Sequence, residues 1–328
     1  MITSHDTSKG PLFLYLPFQE THGPAEVPLH WREKVDSSIV VPNPVRRDLL
    51  AKLMALDSAF ENITNALKNH ENGNMLTNTV WIYTADNGGP IVPSTGTNDD
   101  ALGASNWPLR GGKHNAYEGG VRGAAFLYDG RGLERGGLHA IGGVAKKLTY
   151  DGIIHAVDWL PTLCALAGCV VPAPLPAAQR KRFGLDIDGI DHSAALRNND
   201  SSAARKYIVL DIEKPKIGEY ESYGVVRIGE YKLHLGPGSP QRPGDWSSHA
   251  PYINVTLSEK TTHFGKANQL YNVVSDPAER DDVINSTNAS IIAELVRYYE
   301  QEKAVAVYPF SLGEPGHPNE DGIWEPWL

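Results

Sequence analysis

The run Val80-Trp-Ile-Tyr-Thr-Ala-Asp86-Asn87-Gly88-Gly89 constrains this chain more than any other stretch. Its first five residues are β-branched or aromatic, types that suit a pleated and buried surface, and they predict an interior strand. The run then breaks into an acid, an amide and two glycines, so the strand presents side-chain oxygens at its carboxyl end. Ligands of open α/β sheets sit in the crevice outside the carboxyl ends of the strands, and adjacent Asp and Asn oxygens suit a hard cation. The same residues also satisfy a plainer reading, a strand closed by an Asn-Gly turn.

The flanking sequence supplies a frame for that strand. Leu12-Phe-Leu-Tyr-Leu16 is a continuous apolar run of the kind found in interior parallel strands. Leu49, Leu50, Leu53, Leu56, Phe60, Ile63 and Leu67 then recur at helical spacing. Strand, helix and strand predict a βαβ crossover with its two strands parallel. Beyond it lie two glycine-rich runs, Asn106-Trp-Pro-Leu-Arg110-Gly-Gly-Lys113 and Tyr117-Glu118-Gly-Gly-Val-Arg122-Gly, where glycine lets backbone approach closely beside charged side chains. Arg110 and Arg122 are expected to bond to loop carbonyls or to Glu118. Ala124 to Tyr128 predicts a short strand, and a helix is expected to begin near Asp158, with Pro161 in its first turn. Val170 to Pro176, with three prolines, reads as a surface loop.

A domain boundary is expected around Ser201 to Arg205. Past it, Tyr207–Leu210, Tyr223–Ile228 and Tyr231–Leu235 predict short strands, the last two joined by a Gly229-Glu230 hairpin turn. Ile291, Ile292, Leu295, Val296 and Tyr299 mark one face of a helix. The picture is a large α/β unit followed by a small antiparallel sheet with a helix.

Composition narrows the function. A net charge of −9 without a basic stripe argues against nucleic acid as a partner, and no apolar run is long enough to span a membrane. Cys164 and Cys169, the only two cysteines, have the wrong spacing for a zinc site and are expected to be small buried apolar side chains, not a disulfide. Sequons at Asn62, Asn199, Asn254, Asn285 and Asn288 fit passage through the secretory pathway, whereas Met1 to Gly10 is polar and carries no signal-peptide core. Nothing in the pattern specifies an oligomeric state.

Four side chains could converge on one pocket: His22 after the first apolar run, Asp86 and Asn87 after the second, and Lys113 in the glycine-rich loop. A cation, a lysine and a histidine suit an oxyanion substrate, sulfate or phosphate. Lysine supplies point charge, the metal a Lewis acid, and histidine a proton for the leaving oxygen. Each also has a structural reading, His22 as a turn residue and Lys113 as a solvated charge.

These same runs resemble the sulfatase family, and within it the arylsulfatase B (N-acetylgalactosamine-4-sulfatase)-like group. The motifs are Phe13-Leu-Tyr-Leu with Thr21-His22-Gly-Pro24, Thr84-Ala-Asp86-Asn87-Gly-Gly, Asn106 to Lys113, Tyr117 to Gly123, Asp158-Trp-Leu-Pro-Thr-Leu, Leu270 to Glu279 and Gly322-Ile-Trp-Glu-Pro-Trp327. The resemblance implies an alkaline-phosphatase-like α/β fold: a mixed, mostly parallel sheet between helices, incomplete at its N-terminus, with a small C-terminal domain of antiparallel sheet and helix. The corresponding division is 1–204 for the C-terminal part of the catalytic domain and 205–328 for the small domain. It implies calcium ligation by Asp86 and Asn87, sulfate contact by Lys113, and sulfate contact or leaving-group protonation by His22. The implied substrate is a sulfated sugar or aryl sulfate ester, and the implied location of the parent protein is lysosomal or secreted.

The family nucleophile is a formylglycine made in a Cys/Ser-x-Pro-x-Arg motif, and no such motif occurs here. Nor do the paired aspartates that complete the family's calcium site. The chain is therefore expected to correspond to the C-terminal portion of a sulfatase. Two other readings stand beside hydrolysis by the parent enzyme: an inactive remnant that binds sulfated glycans, and a phosphatase or phosphonate hydrolase of the same superfamily.

Overall fold

The structure, a computed structural model, describes residues 1–23, 26–38, 41, 44–90, 103–131, 149–169, 187–203, 205–212, 223–236 and 268–306. The expected loop at Val170 to Pro176, the motif Gly322 to Trp327 and the sequon at Asn254 lie outside these residues.

Two helices open the fold, α1 (Leu29–Ser38) and α2 (Pro44–Lys68). Pro44 stands at the first position of α2, where its missing N–H costs nothing and its fixed φ suits the helix. The pair packs through Val35, Val41 and Ala51, flanked by Trp31, Leu50 and Met54. An ion pair between Arg32 and Asp48, 2.8 Å apart, closes the contact.

The far half of α2 carries Phe60, which meets Trp81 and Tyr83 of β1 (Val80–Thr84) and Phe126 of β2 (Ala125–Asp129) edge-on. Its ring centroid lies 5.5 Å from that of Trp81, 5.4 Å from Tyr83 and 6.3 Å from Phe126, the spacing at which aromatic quadrupoles attract. This cluster holds β1 against the helix and so sets where Asp86 and Asn87 emerge.

Two expectations fail here. Leu12–Leu16 forms no strand, and Phe13 and Tyr15 are 77% and 78% exposed. An interior parallel strand is stabilised by ladders on both sides and helices over both faces, and among the described residues no strand pairs with this segment. Phe18, just beyond it, meets Phe60 edge-on. Likewise β1 is not parallel to an earlier strand: it pairs antiparallel with β2, Val80 opposite Asp129 and Thr84 opposite Ala125, and it is half-buried, not fully buried.

A one-turn helix, α3 (Glu118–Val121), precedes β2, and α4 (Trp159–Ala167) and α5 (Ser193–Asn198) follow it. The approach to α4 is pinned by Asp158, whose carboxylate accepts from the N–H groups of His155 and Ile190 and pairs with Arg205. Burial alone would raise the Asp158 pKa, but Arg205 and those N–H groups outweigh it and hold it at about 2. His192 Nε2 lies 3.1 Å from the same carboxylate.

The C-terminal part is a four-stranded antiparallel meander, β3 (Tyr207–Ile212), β4 (Gly224–Ile228), β5 (Tyr231–Leu235) and β6 (Gln269–Asn272), covered by α6 (Ala289–Val305). The hairpin turn at Gly229-Glu230 is formed as expected, with Gly229 at φ 54°. Val226, Leu233 and Leu270 of the sheet meet Leu295 and Tyr299 of the helix in a hydrophobic core. Gly224 is required there because a Cβ would enter the Tyr299 ring. Among the described residues no helix is long and apolar enough to cross a membrane.

Candidate functional site

Beyond β1 the chain passes through Asp86 and Asn87 and then runs against the two glycine-rich segments. Ala85 N–H donates to Ala124 O and Gly88 N–H to Gly120 O, each at 2.9 Å, so the strand's end is tied to the backbone around α3. Gly88 must lack a side chain, since a Cβ would strike the Gly119 carbonyl.

Asn106 holds the second tie. Its Oδ1 accepts from Gly89 N–H at 2.9 Å, while its Nδ2 donates to Gly89 O at 2.8 Å and to Gly111 O at 3.0 Å. One amide thus fastens the end of β1 to the loop that carries Lys113. Lys113 N–H itself donates to Gly89 O at 3.2 Å.

From that loop Lys113 Nζ reaches to 3.2 Å from His22 Nε2, across 91 positions of sequence. His22 Nδ1 lies 2.9 Å from Gly23 O. A carbonyl only accepts, so Nδ1 carries the ring proton, and Nε2 is left as the acceptor of the Lys113 ammonium. The Lys113 ammonium therefore donates to Nε2 at the face the two residues present.

Lys52, which nothing in the sequence patterns had distinguished from the rest of α2, supports His22 from below. It is buried, and its Nζ donates to His22 O at 2.6 Å. Desolvation lowers its pKa, opposed by the charges of Asp48 and Glu26. A lysine on the inward, apolar face of this amphipathic helix is the one signal that could have found it.

The two acidic-site residues are less committed. Asp86 is exposed, and the half-buried Asn87 uses its Nδ2 to reach Gly88 O at 2.8 Å. Among the described residues no group of three His, Cys, Asp or Glu side chains could hold a metal ion. Calcium takes six to eight oxygens, so Asp86 and Asn87 do not by themselves make the calcium site the family resemblance implies. Formylglycine is likewise without a precursor motif in this sequence.

Two of the charged residues in the glycine-rich runs, Arg110 and Glu118, turn inward. Arg110 is buried, donating to the Tyr271 hydroxyl at 3.0 Å and to Glu279 O at 3.2 Å, with its guanidinium stacked 4.0 Å over the Tyr117 ring. Glu118 is buried too. Lys232 lies 3.1 Å from it and Arg227 3.5 Å, with Arg122 at 4.0 Å. Glu279 completes the set through Lys232 and His234. The Lys113 loop thus rests on a buried polar lattice reaching into the C-terminal sheet. Sequence reading foresaw structural roles for Arg110 and Arg122, but not the part of Lys232, His234 and Glu279.

These features meet comparisons with known proteins. Residues 2–169 match the family description "Sulfatase", and the chain belongs to the sulfatase family. Arylsulfatase J of Mus musculus is 30% identical over 350 residues, covering 100% of this chain and 51% of that protein. Arylsulfatase A of Homo sapiens is 29% identical over 277 residues, covering 84% of this chain and 44% of the relative. The chain thus spans about half the length of the curated relatives it matches. Among solved structures, Ps i-CgsB superposes with a TM-score of 0.59 at 21% identity, over 86% of this chain and 48% of that one. That likeness establishes the alkaline-phosphatase-like sulfatase fold.

Proposed function

We propose that this chain is the C-terminal portion of an arylsulfatase-type sulfuric ester hydrolase of the arylsulfatase B-like group, supplying the oxyanion-binding side of its sulfate pocket. The observation that carries the reading is the contact of Lys113 with His22, at 3.2 Å on a loop braced by Asn106. A lysine ammonium and an imidazole side by side suit the spread charge of a sulfate oxyanion. On binding, Lys113 would turn its charge to a sulfate oxygen, and His22, taking up a proton at Nε2, would deliver it to the departing alcohol oxygen. Asp86 and Asn87 would contribute two oxygens toward calcium, as the resemblance implies. The substrate class is a sulfated sugar or aryl sulfate ester. The division into 1–204 and 205–328 is part of this proposal and is supported by the separate core of the second sheet. Lysosomal or secreted placement is supported by the sequon residues Asn62, Asn199, Asn285 and Asn288, all exposed.

The test is the imidazole NMR signal of His22 in purified 1–328, titrated with an aryl sulfate. A saturable shift in the wild type that is lost in Lys113→Met supports the reading; no shift at millimolar ester removes it. Turnover of a chromogenic sulfate ester by the same preparation separates hydrolysis from the second reading, a remnant that only binds sulfated glycans. The absence of a Cys/Ser-x-Pro-x-Arg motif favours that second reading for this polypeptide taken alone.

A further inference from the structure

Helix α4 ends in a complete Schellman cap, and a cysteine occupies each of the two positions that this cap brings together. Gly168 adopts the left-handed conformation at φ 74°, and its N–H turns back to Ala165 O. Cys169 N–H then donates to Cys164 O at 2.9 Å. This six-to-one bond folds the residue after the glycine over Cys164, one turn back in the helix, and the side chains at those two positions ordinarily touch. Here they are thiols, Cys164 half-buried and Cys169 exposed, which departs from the buried apolar role expected of both. The neighbouring Cys169 thiol, with burial, raises the pKa of the Cys164 thiol. Arg131 Nη1 caps the neighbouring carbonyl of Leu166 at 2.7 Å, so the turn is held on both sides.

We infer that Cys164 and Cys169 form an intramolecular disulfide when the chain meets an oxidising thiol–disulfide couple, and that this bond staples the cap of α4. The oxidant is of the oxidised-glutathione class. The thiolate of exposed Cys169 attacks one glutathione sulfur, a proton passes to solvent, and glutathione thiolate leaves a mixed disulfide behind. The Cys164 thiolate then attacks the Cys169 sulfur, closing the protein S–S bond and expelling a second glutathione. Two protein thiols are oxidised and one glutathione disulfide is reduced. The exposed sequon residues, which suit an oxidising compartment, provide a setting for this chemistry.

The test equilibrates the chain 1–328 in a glutathione redox buffer, quenches by alkylation and maps tryptic peptides. Because the chain holds only these two cysteines, the result is unambiguous. The expected product is a monomer that has lost both alkylatable thiols and whose Cys164–Cys169 peptide is lighter by two hydrogens. Cys164→Ser and Cys169→Ser should stop at a glutathione adduct. In concentrated urea the wild-type pairing constant should fall at least about tenfold, since the cap no longer brings the sulfurs together. Two thiols still open to alkylation in the native state, disulfide-linked dimers, or equal pairing in native and urea-treated protein would each overturn the inference.

Discussion

Glu279 accepts the backbone N–H of Glu118 at 2.6 Å, so a carboxylate from the C-terminal sheet region holds the first turn of the helix that follows the Lys113 loop. The other oxygen of Glu279 lies 3.1 Å from Lys232, whose side chain is fully buried. Removing this one carboxylate would loosen the sheet and leave Lys232 with Glu118 as its remaining acidic neighbour. Breaking a buried pair on one side costs several kcal/mol, so Glu279→Gln is expected to destabilise the chain by about 3 kcal/mol in urea unfolding. Arg297→Ala, which removes a pair whose side chains are 50% and 54% exposed, should stay within about 0.5 kcal/mol. Equal effects from the two variants would show that burial is not what matters.

Acid should unfold the protein through identifiable groups. Burial opposes the charge of Glu279, yet Lys232, His234 and the Glu118 N–H hold its pKa at about 2, below its ordinary 4.5. Asp158 is likewise held at about 2, from 3.8. Both folded values are depressed, so each contributes stability that is complete above the ordinary value and is lost as pH falls toward about 2. Burial also lowers the pKa of His234 from 6.5, so the unfolded chain gains that proton first and the loss begins as pH drops below 6.5. Urea midpoints measured between neutral pH and strong acid should fall throughout, and less steeply below pH 4.5 in Glu279→Gln. A flat profile would contradict the pairing described.

Asn106 makes three hydrogen bonds to the backbone of Gly89 and Gly111. In Asn106→Ala the Gly89 N–H loses its acceptor, and its amide exchange should quicken by at least about tenfold, while exchange in β5 stays slow. Hydrogen-exchange NMR or mass spectrometry reads both at once. Unchanged Gly89 protection would show that the turn is held without the amide.

Gly224→Ala is expected to cost about 2 kcal/mol, because the added methyl must displace the Tyr299 ring from a filled core. Pairing it with Tyr299→Leu should recover part of the loss. A double mutant no more stable than the sum of its parts would argue that the clash is relieved some other way.

Much of this molecule was legible in its pattern. The helical spacing from Leu49 to Leu67 and from Ile291 to Tyr299, the Gly229-Glu230 hairpin, and the strands on either side of it all follow local rules that a sequence states directly. His22 and Lys113 were both candidates, and the structure brings their side chains together. Lys52 was missed because a buried lysine looks like any other charge until its partner, a backbone carbonyl, is known. Leu12–Leu16 was misread because an apolar run describes a strand only if neighbouring strands are there to pair with it.

The sequence by itself therefore determined the family, the local elements and which residue types stand at the loop ends, because periodicity, turn chemistry and motif order are properties of neighbouring residues. Tertiary structure alone decided that β1 pairs antiparallel with β2, that Glu118 and Arg110 turn into the interior, and that Lys113 meets His22. Those outcomes depend on which distant group satisfies a buried charge or an open N–H, and a partner 91 or 161 positions away leaves no local trace in the chain.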